Sequence, residues 1–195
     1  LFTTNAPKSW KKNITEWLSS IDITDVMKQY EDKYDDFLFI GPSPIDFEEM
    51  YHSSCVWPEL CNFNVKKCLK NKKKRIGFIF NTDPHYKSGS HWISLFLDLD
   101  KKKIFFFDSN GNPEPTEIKK LIKKISNQCE ELNIKLKIDS NVGFRHQSRN
   151  TECGMYCLYF IINLLNKKTG FKYYKTTVIP DKSMIKLRHK YFNIL

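Results

Sequence analysis

The sequence predicts an α+β fold, a central mixed sheet with helices packed around it, and three observations carry that expectation. Two apolar runs of strand length, Ile76-Gly77-Phe78-Ile79-Phe80 and Ile104-Phe105-Phe106-Phe107, lie in the middle third of the chain. A charged turn, Leu99 to Lys103, separates the second from another run, His91 to Asp98, as in a hairpin. Helical periods flank this region without alternating strictly with strands.

From the N-terminus, a helix is expected over Ser9 to Ser20 and a short one over Asp25 to Tyr34. Gly41-Pro42-Ser43-Pro44 breaks the chain into a loop. Ile45 to His52 reads as helical, with Asp46 to Glu49 putting acids in its first turn. Arg75 to Asn81 is a strand, followed by the polar loop Thr82 to Ser90. The hairpin strands are His91 to Asp98 and Ile104 to Asp108, and Ser109 to Pro113 ends the second. From Pro115 to Asn133 the apolar residues fall at 118, 121, 122, 125, 129 and 132, the period of an amphipathic helix. Ile134 to Ile138 alternates with lysines as a half-buried strand. A polar loop from Asp139 to Glu152 leads into an apolar helix from Cys153 to about Asn166, and Asp181 to Leu195 forms a last helix. No repeat or linker divides the 195 residues, so residues 1–195 are expected to form one domain, with a helical extension over 1–40 and the core over 41–195.

Composition narrows the class. Hydrophobic residues at 41% and aromatics at 14% suffice for a core and exclude intrinsic disorder. No run reaches the roughly 18 apolar residues of a membrane span. The first residues lack both an initiator Met and the apolar stretch of a signal peptide, so the natural start is expected elsewhere. Six cysteines (55, 61, 68, 129, 153, 157) make neither a dense disulfide framework nor a CxxC pair. The intervals of His52, Cys55, Cys61 and Cys68 fit no common zinc spacing, and reduced thiols in an intracellular compartment are expected. The net charge of +10 comes largely from lysine runs such as Lys72-Lys73-Lys74-Arg75 and Lys101-Lys102-Lys103. These offer nonspecific contact to nucleic acid. Solvated turns are the preferred reading, because no recognition helix accompanies the charge.

The chemistry concentrates around Cys153. A thiol nucleophile needs a base, and the base benefits from a third group that fixes its ring. Cys153 stands where a polar loop meets an apolar helix, whose free N–H groups favour an anion. Gly154 beside it lets a substrate backbone approach. Cys157, one turn on, reads as a buried structural thiol. His91 opens a strong strand after Lys87-Ser88-Gly89-Ser90, and Asp108 ends the next. Counting back from the turn sets the two at about the same height of the hairpin, within hydrogen-bond reach. His85, His146 and His189 are weaker candidates for the base.

These residues resemble the adenovirus-protease and SUMO-protease superfamily of cysteine peptidases (clan CE). The likeness lies in Gly89-Ser90-His91-Trp92, Phe107-Asp108-Ser109, and Gln147 six positions before Cys153 in Glu152-Cys153-Gly154. Within the superfamily, Asn141 to Gly154 looks most like the maturation proteases of large cytoplasmic DNA viruses. The resemblance implies a papain-like topology variant with Cys153 at a helix N-terminus. It implies a thiol endopeptidase without metal or cofactor, in which Gln147 and the Cys153 N–H form an oxyanion hole. Trp92 would wall a channel for Gly-Gly ahead of the scissile bond. The implied partner is a protein substrate, a viral structural polyprotein in the host cytoplasm or virion, or else a ubiquitin-like modifier. The Trp-Leu-Asn-Asp motif of cellular deSUMOylases is missing upstream of the histidine, where Pro44-Ile45-Asp46-Phe47 stands instead.

Overall fold

The computed structural model describes residues 3–194; Leu1, Phe2 and Leu195 lie outside them, the last being the expected end of the C-terminal helix. A two-residue strand β1 (Thr4–Asn5) and a 3-10 turn (Lys8–Lys11) precede α1 (Ser20–Lys33) and β2 (Phe37–Ser43). A small hairpin, β3 (Met50–Tyr51) and β4 (Ser54–Cys55), leads to α2 (Pro58–Cys61) and α3 (Val65–Lys70). Then come β5 (Arg75–Asn81), β6 (Trp92–Asp98), β7 (Lys103–Phe107), α4 (Thr116–Glu131) and β8 (Lys137–Ser140). The chain finishes with α5 (Cys153–Leu165), α6 (Tyr173–Thr176), α7 (Asp181–Tyr191) and β9 (Phe192–Asn193).

The principal sheet is mixed and runs β2-β5-β6-β7-β8. Its inner pairs are antiparallel, while β2 and β8 join the two edges in parallel. Because side chains alternate across a strand, the apolar runs feed two cores. Ile79, Trp92, Phe96, Phe105 and Phe107 face α5, whereas Phe78, Phe80, Ile93, Leu95, Ile104 and Phe106 face the side that α4 covers. Helices on both faces explain why β6 is buried at every position. Gly77 lets α5 close on the sheet, since a Cβ there would meet Phe37 and Ile161 at 3.1 and 3.2 Å. Phe107 stacks on Phe160 of α5, with centroids 4.8 Å apart and planes 8° from parallel.

Several expected elements differ, each for a local reason. The helix over 9–20 does not form beyond the 3-10 turn. Asn13 Oδ1 accepts from both the Thr15 N–H and hydroxyl, a side-chain turn that competes with helix. Ser19 then caps α1 through a capping box with Asp22, so one helix replaces the short one expected at Asp25. The Gly41–Pro44 break is the end of β2, where Gly41 takes φ +117° beside Ile79. Ile45 to His52 is a turn and hairpin strand, because Asp46 spends its carboxylate on the His85 N–H and ring rather than on a helix start. The strand over 134–138 lies at 137–140, after Asn133 turns at φ +58°. The side chains of Cys55 and Cys61 lie against each other.

The first forty residues are part of the core. Trp10, Leu18, Ile23, Val26 and Met27 belong to the cluster that holds Cys153, β1 pairs with β9, and the expected boundary at residue 40 falls inside β2. Truncating the α5 side of the aromatic stack, Phe160→Ala, should cost about 3–5 kcal/mol of unfolding free energy, read from the midpoint of urea denaturation.

Candidate active site

His91, Asp108, Gln147 and Cys153 come together at one end of the sheet. In the β6–β7 ladder the last pair is Ser94 with Phe107, so Asp108 overhangs by one residue and His91 by three. The two are therefore staggered rather than level, and the side chains close the gap: His91 Nε2 donates to Asp108 Oδ1 at 2.6 Å. The Thr82 N–H donates to the His91 carbonyl, which pins its backbone to the end of β5.

Asp108 is saturated with donors. Its carboxylate accepts from the Asn110 and Asn112 N–H groups as well as from His91. Buried Asn141 clasps its backbone, accepting from the Asp108 N–H and donating to the Asp108 carbonyl. With Nε2 committed to Asp108, Nδ1 is the ring nitrogen left for the thiol. Burial disfavours the imidazolium of His91, but the hydrogen bonds to Asp108 and Cys153 and their charges outweigh it, and the ring titrates at about 9. An imidazole held this way can carry a thiol's proton.

Cys153 is the first residue of α5 and is only 1% exposed. Gln147 is held by its carbonyl end: Oε1 accepts from the Ser109 hydroxyl at 2.7 Å, leaving its NH2 as the free donor. The Gln147 and His146 N–H groups both donate to the Ser109 carbonyl, tying the loop to the end of the hairpin.

The loop 148–152 is anchored at both ends by α7. Asp181 accepts from the Ser148 N–H and hydroxyl, the Arg149 N–H and the Tyr156 hydroxyl. Two turns along α7, Arg188 binds the Glu152 carboxylate at 3.0 and 3.1 Å, and both side chains are 0% exposed. Burial raises the pKa of Glu152 while the Arg188 guanidinium pulls it down. Trp10 lies 4.5 Å from that guanidinium. Asp181 and Arg188 were invisible to motif reasoning, being remote in sequence and unremarkable in type.

Trp92 is 8% exposed, and its indole N–H donates to the Leu18 carbonyl at 3.0 Å. The near neighbour of Gly154 is Leu18 as well, since a Cβ there would sit 3.0 Å from it. The space that Gly154 leaves is thus filled by the protein's own chain rather than by open cleft. Trp17 and Leu18 were missed, hidden by the helix expected over Ser9 to Ser20. His146 is structural: Nε2 donates to the Tyr174 carbonyl and Nδ1 accepts from the Ile179 N–H, while burial lowers its pKa. His85 pairs with Asp46, away from Cys153.

Two grooves flank the site. One, of 670 Å³, is lined by His91, Asn110, Gln147, Arg145, Arg149 and neighbours. The other, of 550 Å³, is lined by Trp92, Leu18, Trp57, His85 and prolines 42, 44 and 84. Trp17, 40% exposed, borders both.

Residues 23–194 match the model of the Ulp1 protease family, C-terminal catalytic domain. A protein of Acanthamoeba polyphaga mimivirus named as a thiol protease, R355, is 36% identical over 159 residues, 78% of this chain and 49% of that protein. The cysteine protease S273R of African swine fever virus is 27% identical over 192 residues, 94% of this chain and 70% of its own length. The chain thus spans about half of the mimivirus relative. Among solved structures, the African swine fever virus pS273R protease superposes with TM-score 0.82 at 24% identity, over 100% of this chain and 72% of that one. The yeast Ulp1 protease domain in complex with Smt3 gives 0.60 at 17% identity, over 95% and 82%.

Arg188→Met strands a buried carboxylate at the foot of α5 and should cost about 3–5 kcal/mol, whereas Glu152→Leu/Arg188→Met should recover most of that loss. Chemical denaturation of the two single variants and the double variant measures the difference.

Proposed function

Since the chain belongs to the Ulp1 protease family, C-terminal catalytic domain, we propose that it is a cysteine endopeptidase cutting after small-residue, Gly-Gly-type motifs in viral structural polyproteins. The observation that carries the proposal is the convergence of Cys153, His91, Asp108 and Gln147 at one sheet end. The names of the similar viral proteins support a thiol-protease reading, and their viral sources accord with action in the infected cell or virion.

In this mechanism His91 takes the Cys153 proton, and the thiolate sulfur attacks the scissile carbonyl carbon. The oxyanion forms against the Gln147 amide and the Cys153 N–H. His91, its ring held by Asp108, then gives the proton to the departing amine as the C–N bond breaks, leaving a thioester. Water, deprotonated by His91, attacks the thioester and releases the carboxylate and the thiol. Trp17 and Trp92 border the groove for residues ahead of the cut, where an aromatic channel suits glycine and hinders larger side chains.

A second reading, release of a ubiquitin-like modifier, is favoured by the fold shared with Ulp1 in complex with Smt3 and with the Chlamydia trachomatis effector Cdu1 bound to ubiquitin, TM-score 0.60 for each. Mass spectrometry of products from Gly-Gly peptides and from modifier conjugates separates the two. Turnover of the conjugates alone would overturn the polyprotein reading.

Cys153→Ala should remove turnover by about 10⁴-fold or more, and Gln147→Ala should lower kcat by about 10²–10³-fold. Asp108→Asn should be the mildest of the three. The raised pKa of His91 means that the protonated ring is fully present below about 6.5 and is lost as pH rises through about 9. The rate profile should therefore fall on an alkaline limb near 9, and Asp108→Asn should move that limb to lower pH.

A further inference from the structure

We infer that the groove on the leaving-group side of the scissile bond selects an acidic side chain, held by Arg149 and Arg145. This rests on the peptidase reading above. His91 must deliver its proton to the departing amine, so the residues after the cut run through the groove that His91 and Asn110 line.

That groove is cationic. Its lining residues include Arg145 and Arg149 and no carboxylate, the remainder being chiefly hydroxyl and amide side chains. Among the described residues neither arginine makes an ion pair. Arg145 Nε donates to the Gln147 carbonyl at 2.5 Å, which leaves the rest of its fork for a ligand and sets it beside the oxyanion position. Arg149 is fixed through its main chain, whose N–H donates to Asp181 at 2.8 Å, while the residue itself is exposed. Asp181 is already engaged by Ser148, the Arg149 N–H and Tyr156.

The other groove has a different character, with three prolines, Trp57 and Trp92, and its charges are of both signs, Lys87 and His85 standing with the carboxylate of Asp83. A guanidinium fork matches a carboxylate in two parallel hydrogen bonds. Selection by charge therefore belongs to the downstream side of the cut, and selection by size to the upstream side.

The test uses the intact chain and Gly-Gly peptides that differ only in the first two residues after the cut: Asp, Glu, Ser or Lys. The wild type should favour acidic over neutral peptides about threefold to tenfold in kcat/KM, as for a partly exposed charged pair, and the ratio should shrink with added salt. Arg149→Ala should bring the ratio close to one, and Arg149→Glu should invert it in favour of Lys. A ratio taken within one variant is unaffected by the fraction of that variant that folds. Equal turnover of acidic and neutral peptides, or a preference that survives both Arg149→Ala and Arg145→Ala, overturns this inference alone. Turnover of none of the peptides overturns the Gly-Gly endopeptidase reading and this inference with it.

Discussion

Glu152 and Arg188 form a fully buried ion pair, one residue before Cys153. Two charges removed from water are costly, and Glu152 offsets that cost by taking Nε and Nη2 of the guanidinium at close range, while Nη1 stays buried without a partner among the described residues. Its strength is also its demand: α7 must sit where the guanidinium meets the carboxylate, or Glu152 is left charged and alone. Asp181, at the other end of that helix, binds the start of the same loop. The segment between Gln147 and Cys153 is thereby stretched between two points on one rigid rod. α7 thereby helps to fix the spacing between Gln147 and Cys153 through the loop that joins them.

The hairpin does the equivalent for the base. Asp108 receives main-chain donors from its own following turn, and Asn141 holds its backbone from a segment 33 residues away. Ser109, the next residue, holds both the backbone and the amide of Gln147. One strand end therefore positions the ring of His91 and the oxyanion donor together. The site is a junction of β6, β7, α5 and the loop before it.

The sheet and the approach of His91 to Asp108 were legible because their signals are local, whereas Gln147 was pointed to by the family resemblance alone. The continuous apolar runs Ile76 to Phe80 and Ile104 to Phe107 report burial on two faces, and a charged five-residue turn between apolar runs reports a hairpin. The period of α4 is likewise contained within one element. What stayed hidden depends on partners distant in sequence. Asp46 was read as an acid at a helix start, yet it binds His85, 39 residues later. Trp17 and Leu18 fell within an expected helix, yet Leu18 seats both Trp92 and Gly154. Arg188 looks like any surface arginine in a basic helix until its partner is seen. Local pattern predicts elements, and only tertiary contact assigns these side chains.

The tie between α7 and the loop before Cys153 also bears on timing. A polypeptide made from its N-terminus exposes the nucleophile and its histidine some time before the last helix emerges. Until Asp181 and Arg188 arrive, the loop lacks both anchors and Glu152 has no counter-charge. The nascent chain would then hold Cys153, His91, Asp108 and Gln147 before the loop that spaces Gln147 from Cys153 is anchored.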